Sequence, residues 1–171
     1  GIARTGKLFA HEWSSVKPDI MSLAKGLGGG IPVGACLANE KVSSAMKPGS
    51  HGSTFGGNPT SMAAANAVFD IVEKTTFLKH VQEMGKYFKE SLVSLGQETN
   101  VFGEVRGMGL LVGIVCNITN TDMVKALEDN GLLTVAAGDN VVRFLPPLIT
   151  EKHHIDEAVA ILNDVCRQLS T

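Results

Sequence analysis

Pro18-Asp19-Ile20-Met21-Ser22-Leu23-Ala24-Lys25-Gly26-Leu27-Gly28-Gly29-Gly30-Ile31-Pro32-Val33-Gly34-Ala35 runs from a short apolar segment, through one lysine, into a glycine-dense turn. Ile20–Ala24 reads as a buried strand, although a run this short does not exclude helix by periodicity alone. Lys25 stands where that strand ends. The position sets its stem in an apolar wall, and burial disfavours the ammonium form and lowers a lysine pKa. A neutral amine is what Schiff-base chemistry with an aldehyde cofactor requires. The glycines beyond it let backbone come close to a flat ring or a phosphate. The plain alternative is a solvated lysine ending a strand, so the rest of the chain must decide.

Working outward, Val33–Ala38 reads as a second strand and Glu40–Met46 as a short helix. A Gly-, Ser- and Pro-rich loop follows over 47–59, and Pro59 suits a first helical position. Thr60–Lys74 is apolar almost all round, the composition of a buried helix. In Phe77–Leu95, Leu78, Val81, Met84, Phe88 and Leu92 recur at helical spacing with Lys79, Glu83, Lys86, Lys89 and Glu90 between them. That is an amphipathic helix, ending near Gly96. Val105–Cys116 reads as a strand region interrupted by glycine, and Asp122–Asn130 as a helix with Gly131 as its C-cap. Leu132–Val135 and Val141–Leu145 read as short strands joined by Gly138-Asp139-Asn140. Thr150 is placed to cap a last helix from His153 to about Leu169. The order divides the chain into an α/β piece (1–75), a connecting helix (76–97) and a smaller α+β lobe (98–171).

The 171 residues are 44% hydrophobic and 19% charged with a formal net charge of −2, an ordinary globular composition. That balance gives no electrostatic case for nucleic acid or an anionic membrane. No apolar run approaches the ~18 residues of a spanning helix. The first residues lack the apolar core of a signal peptide. Cys36, Cys116 and Cys166 are odd in number and widely spaced, which fits reduced, buried thiols in the cytoplasm. His153-His154 is the one close pair of metal-ligand types, and neighbours on a helix point in different directions, so no metal is expected. Asn117-Ile118-Thr119 matches a glycosylation sequon and reads as chance. Gly1-Ile2-Ala3-Arg4-Thr5-Gly6-Lys7 fits the start of a nucleotide P-loop, but Leu8 stands where a Mg²⁺-binding hydroxyl is needed. The glycines at 26–30 miss the dinucleotide pattern because Ile31 replaces the last glycine.

Two more segments carry chemistry. In His51-Gly52-Ser53-Thr54-Phe55-Gly56-Gly57-Asn58-Pro59 two adjacent hydroxyls sit among glycines, a setting that can hold a phosphate or carboxylate or can be a plain surface turn. In Val141-Val142-Arg143-Phe144-Leu145-Pro146-Pro147-Leu148 an arginine lies between apolar neighbours. A partly buried guanidinium needs an anion, and its fork suits a carboxylate, whether from a ligand or from an internal ion pair. Arg106, in Glu104-Val105-Arg106-Gly107-Met108-Gly109-Leu110, admits the same argument and reads as structural.

Together these segments resemble the class III pyridoxal-phosphate aminotransferases. The Asp19–Ala35 stretch is similar to that family's cofactor-lysine segment, and His51–Pro59 to the loop that follows it. Arg106-Gly107-Met108-Gly109-Leu110-Leu111-Val112-Gly113-Ile114 and Arg143–Leu148 resemble its C-terminal-lobe motifs. The resemblance runs in order through the whole chain. It implies the aspartate-aminotransferase-like fold (fold type I), with 1–75 as the C-terminal part of the large cofactor domain and 98–171 as the small α+β domain. It implies Lys25 as the catalytic residue, joined to pyridoxal 5′-phosphate as an aldimine and carrying a proton between the substrate's α-carbon and the cofactor. Thr54 would bind the cofactor phosphate, reaching into the partner subunit's site of a homodimer. Ser53 would touch an acylated substrate, and Arg143 would hold the α-carboxylate.

Within the family the wording is most similar to enzymes that convert N-acetylornithine and 2-oxoglutarate to N-acetylglutamate 5-semialdehyde and glutamate, a step of arginine biosynthesis. Enzymes acting on ornithine, succinylornithine or 4-aminobutyrate are near neighbours. Other classes stay open: a non-catalytic homologue serving as an assembly module, and a P-loop nucleotide binder. The family also implies a strand bearing Asp-Glu-Val-Gln just before Gly1, plus a phosphate-binding turn and a stacking aromatic further upstream. The chain is therefore expected to be a piece of a longer protein holding about half of an active site.

Overall fold

The glycine-dense turn does follow a strand. In the computed structural model, which describes residues 1–170, β1 (Ile20–Leu23) pairs antiparallel with β2 (Ala35–Ala38), from Ile20 opposite Ala38 to Leu23 opposite Ala35. Asp19 ties the far end of this hairpin, its carboxylate accepting from Asn39 Nδ2 at 2.5 Å and its carbonyl from the Asn39 N–H at 3.0 Å. Asn39 in turn caps α1 (Glu40–Ser43) by accepting from the Val42 N–H. Asn58 caps α2 (Pro59–Val72) in the same way, with Pro59 at its first position.

Two burial expectations fail in this part of the chain. β1 is not a buried strand, since its residues are exposed or half-exposed, and Cys36 on β2 is exposed rather than buried. α2 is not a buried helix, since only Ser61, Ala65 and Val72 are enclosed and Ile71 is half exposed. The cause is the same for both. Apolar composition shows that a segment needs cover, and Ile20, Cys36 and the outer side of α2 lack it among the described residues. The chain divides into two compact units, one of Gly1–Ala3 with Lys7–Leu78, the other of Arg4–Gly6 with Lys79 onward.

The second unit is built on a four-stranded antiparallel sheet in the order β3-β4-β6-β5, with β3 at Phe102–Met108, β4 at Leu111–Cys116, β5 at Val135–Ala137 and β6 at Val141–Phe144. The expected strand at Leu132–Val135 begins three residues later, because Gly131 (φ +86°) and Leu132 complete the end of helix α4 (Asn120–Asp129). The Gly131 N–H donates to Glu128 O and the Leu132 N–H to Leu127 O. The β5–β6 hairpin turns on Asp139 (φ +57°) and Asn140 (φ +56°), left-handed positions that these short polar residues tolerate. Asn140 also anchors the hairpin, its side-chain amide donating to Cys116 O and Ile118 O, both at 2.7 Å.

Helices α3 (Thr75–Glu98), α4 and α5 (Lys152–Leu169) supply the rest of the core. α3 runs two residues past Gly96, and it buries Val81, Met84, Phe88, Leu92 and Leu95 at the expected spacing. Leu110, Ile114, Met123, Leu127, Val142, Leu162 and Val165 of the same unit are fully enclosed as well. Each such side chain contributes about 1.5–3 kcal/mol. Phe88 packs edge-on against Phe144 at 5.6 Å. Cys116 and Cys166 lie in this core, and burial pushes the Cys116 thiol up to about 11. Thr150 does not cap α5; Glu151 does, and its N–H donates to His154 Nδ1 at 3.2 Å. That contact turns the His154 ring back over the first turn, to 3.8 Å from the His153 ring, so the two do not diverge as expected. No described helix is long and apolar enough to cross a membrane.

One close approach governs the packing of this unit. A Cβ on Gly85, in the middle of α3, would lie 2.4–2.5 Å from the backbone of Gly109, and one on Gly109 (φ +57°) would lie 2.5 Å from Arg4 O. Gly85→Ala in the full-length protein should therefore not be stabilised, and should lower stability by up to about 2 kcal/mol, measured by urea unfolding. Helix propensity alone favours alanine by about 1 kcal/mol, and overpacking against immovable backbone costs ~1–3 kcal/mol or more. A stabilised Gly85→Ala protein would show that the contact yields.

Candidate functional site

Lys25 opens a short 3₁₀ turn, Lys25–Gly28, immediately after the extended Ala24. Its φ is +56°, the left-handed region, which a non-glycine residue occupies at a cost of about 1 kcal/mol or more. The turn continues through Gly29 (φ +59°) and Gly30 (φ +115°). Lys25, Gly26, Gly29, Gly30, Ile31, Pro32 and Val33 line an open cavity of about 580 Å³. The expected apolar wall around the lysine stem is absent, because Lys25 is exposed. Its amine makes no ion pair or hydrogen bond among the described residues.

The loop bearing Ser53 and Thr54 is tied to the lysine turn through the start of α2. Asn58 Nδ2 donates to Phe55 O at 2.9 Å and to Ser61 Oγ at 3.0 Å, and Ser61 Oγ donates to Pro32 O at 3.1 Å. One hydrogen-bond chain thus connects the carbonyl after Thr54 to the far end of the cavity that Lys25 lines. Both hydroxyls are exposed and unpaired among the described residues. This linkage was not read from the sequence. The Asn58-Pro59 pair marks a helix start, and nothing local shows that Ser61 reaches a residue 29 positions earlier.

Arg143 belongs to the second unit. It lies on β6 opposite Gly113 on one side and Val135 on the other. Gly113 is itself tightly packed, since a Cβ there would lie 2.6 Å from Val141 Cγ1. The residue is half-buried, and its Nε is enclosed with no hydrogen-bond partner among the described residues. A buried donor without a partner carries a penalty of about 1–3 kcal/mol, which an added acceptor would remove. Arg106 is settled differently. Its guanidinium contacts Glu104 at 2.9 Å and Asp139 at 3.6 Å, and those carboxylates raise its pKa. It is a surface ion-pair residue rather than a partly buried one.

Arg4, in the stretch that fits the start of a P-loop, has a different role in the fold. It is half-buried, and burial lowers its pKa. Its Nη1 donates to Leu110 O at 3.1 Å and to Pro146 O. A local pattern carries no sign of such partners, which lie over a hundred residues away.

The first unit offers an unpaired amine beside a glycine-lined cavity and two unpaired hydroxyls on a linked loop; the second offers a guanidinium with an enclosed, unpaired donor. An aldehyde bearing a phosphate fits that donor set in the first unit, and a carboxylate fits it in the second.

Known proteins point the same way. A family model described as aminotransferase class-III matches residues 1–166. Acetylornithine aminotransferase 1 of Bradyrhizobium diazoefficiens is 52% identical, the match covering 100% of this chain and 42% of that protein. The crystal structure of acetylornithine aminotransferase from Elizabethkingia anophelis is 38% identical with a TM-score of 0.89, covering 98% of this chain and 43% of that one. The structure of ornithine aminotransferase from Toxoplasma gondii, crystallised in the presence of oxidised glutathione, has PLP at partial occupancy in its active site. It is 31% identical with a TM-score of 0.89, over 98% of this chain and 41% of its own. This chain thus spans about two-fifths of the length of the curated relatives it matches. Its fold is fold type I of the pyridoxal-phosphate-dependent transferases. The match from Gly1 to residue 166 takes in the lysine turn, the hydroxyl loop and the arginine strand alike, and the chain belongs to the class-III aminotransferase family.

Proposed function

We propose that the full-length protein is a pyridoxal-phosphate aminotransferase that takes the amino group of N-acetylornithine and passes it to 2-oxoglutarate, a step of arginine biosynthesis in the cytoplasm. The observation that carries this reading is Lys25, an unpaired lysine held at φ +56° on the rim of a glycine-lined cavity. Backbone strain at a reactive side chain is a mark of function. Pyridoxal phosphate, when bound, supplies an electron sink for negative charge developing at the substrate's α-carbon. Lys25 Nζ would hold the cofactor and would carry the proton between that carbon and the cofactor. The Thr54 hydroxyl would donate to the cofactor phosphate across a homodimer interface, and Ser53 would contact the acyl group of the substrate. Arg143 would bind the α-carboxylate with its fork.

The test is the full-length protein assayed with N-acetylornithine, ornithine, succinylornithine and 4-aminobutyrate as amino donors. N-acetylornithine should give the highest kcat/KM, and a higher value for another donor would move the assignment to it. Borohydride treatment of the holoenzyme should add mass at Lys25. No such addition, together with no turnover of any donor, would favour a non-catalytic assembly module.

Arg143→Lys should raise KM for the amino donor and for 2-oxoglutarate together, with cofactor affinity unchanged. Lysine keeps the charge but loses the two-pronged geometry. Hydrogen bonds to a charged group contribute ~1.5–3 kcal/mol, so kcat/KM should fall at least about tenfold. Wild-type efficiency in both half-reactions would remove Arg143 from the substrate site.

A further inference from the structure

The strand that carries Arg143 leaves the sheet through Phe144-Leu145-Pro146-Pro147. Pro146 and Pro147 have no N–H to donate, so this exit is anchored through its carbonyls. Pro147 O accepts from the Thr150 N–H at 3.0 Å. Pro146 O accepts from Arg4 Nη1, and the same nitrogen donates to Leu110 O at 3.1 Å. The Arg4 backbone closes the loop, its carbonyl accepting from the Leu110 N–H at 2.9 Å. Leu110 sits in the turn between β3 and β4, and β4 is the strand that flanks Arg143 at Gly113. Arg4 therefore grips both the turn leading into β4 and the exit of β6. It does so without forming an ion pair among the described residues.

The segment around Arg4 is itself held firmly. Gln82 Nε2 donates to Gly6 O at 2.6 Å. Gly109 packs so closely on Arg4 and Thr5 that a Cβ there would lie 2.5–2.8 Å from their backbone. A guanidinium mounted on fixed backbone, with both acceptors on fixed backbone, works as a strut. Recognition by a long, flexible side chain such as Arg143 gains most from such support, because orientation fixed in advance is not lost on binding.

We propose that Arg4 is a positioning residue for carboxylate recognition by Arg143: it clamps the exit of β6 at the Pro146 carbonyl and so holds the Arg143 guanidinium in one orientation before substrate arrives. This rests on the role given to Arg143 above.

The test is a double-mutant cycle in the full-length holoenzyme with Arg4→Met and Arg143→Met. Arg4→Met alone should raise KM for the amino donor and for 2-oxoglutarate about tenfold, with kcat within about twofold. Added to Arg143→Met, it should change KM by less than about twofold, because the group it positions is gone. Arg4→Lys should recover much of the loss, since one ammonium can still reach Pro146 O. Heat protection by glutarate, a dicarboxylate that cannot be transaminated, should weaken in Arg4→Met in step with KM. The same KM increase in both backgrounds, or a change in kcat alone, would overturn the proposal. If Arg4→Met does not fold, Arg4→Gln, which keeps a donor on a shorter side chain, is carried through the same cycle, and an equal KM increase in both backgrounds overturns the proposal there. An unchanged KM in Arg143→Met by itself would instead defeat the carboxylate role of Arg143, and the proposal with it.

Discussion

Lys25→Ala in the full-length protein should abolish transamination, lowering turnover at least ~10³-fold, because the residue is proposed both to hold the cofactor and to move the proton. The fold should survive. Lys25 is exposed and makes no hydrogen bond or ion pair among the described residues, so alanine removes no structural partner. Alanine inherits the same left-handed backbone at φ +56°, so the strain is unrelieved and stability should change little. Lys25→Gly makes a sharper companion. Glycine adopts that φ freely, and the protein should be equally inactive yet more stable, by up to about 1 kcal/mol. Activity assays and thermal unfolding of the two variants check both halves. Turnover within about a hundredfold of wild type in Lys25→Ala would remove the residue from the chemistry. A Lys25→Gly protein no more stable than Lys25→Ala would show that the turn stores no strain.

What was legible in the sequence depended on how far each feature reaches. β1, the glycine turn, the Asn58-Pro59 helix start, the Gly131 helix end and the Asp139-Asn140 hairpin are short-range, written in the rotational freedom of a few adjacent residues. The stripe Val81, Met84, Phe88, Leu92 identified α3 and its buried side together, because helical spacing encodes both. Burial was misread where it depends on a covering partner. Ile20, Cys36 and Ile71 are of types that prefer the interior, yet no described element covers them. Least legible were contacts between distant segments. Arg4 on Pro146 O and Ser61 on Pro32 O link residues with no shared local pattern. The first was hidden further by a chance fit of Gly1–Lys7 to a nucleotide loop. The lysine's identity as a candidate was plain from its neighbours, whereas its left-handed φ became visible only in the fold.

The 171-residue chain studied alone should bind neither cofactor tightly nor turn over N-acetylornithine, and it should self-associate. Phe55 is 81% exposed, Leu133 80% and Ile149 73%, and α2 and the β1–β2 hairpin add further apolar surface. Large apolar side chains left this exposed favour packing against another surface. Under the proposed function the cover comes from the remaining length of the parent protein and from a second subunit, which also supplies the groups that complete the site. Lys25 would then stand beside a cavity with no partner for the ring, and Thr54 would face a site on a subunit that is not assembled. Sedimentation velocity should show species larger than a monomer at micromolar concentration. An environment-sensitive apolar dye should fluoresce with it, and added pyridoxal phosphate should give no stable yellow complex through Lys25. Co-expression with the rest of the parent chain should suppress the dye signal and restore the bound cofactor. A dye-silent monomer that transaminates N-acetylornithine by itself would defeat this reading, because the hairpin, the lysine turn and the arginine strand would then be sufficient as they stand.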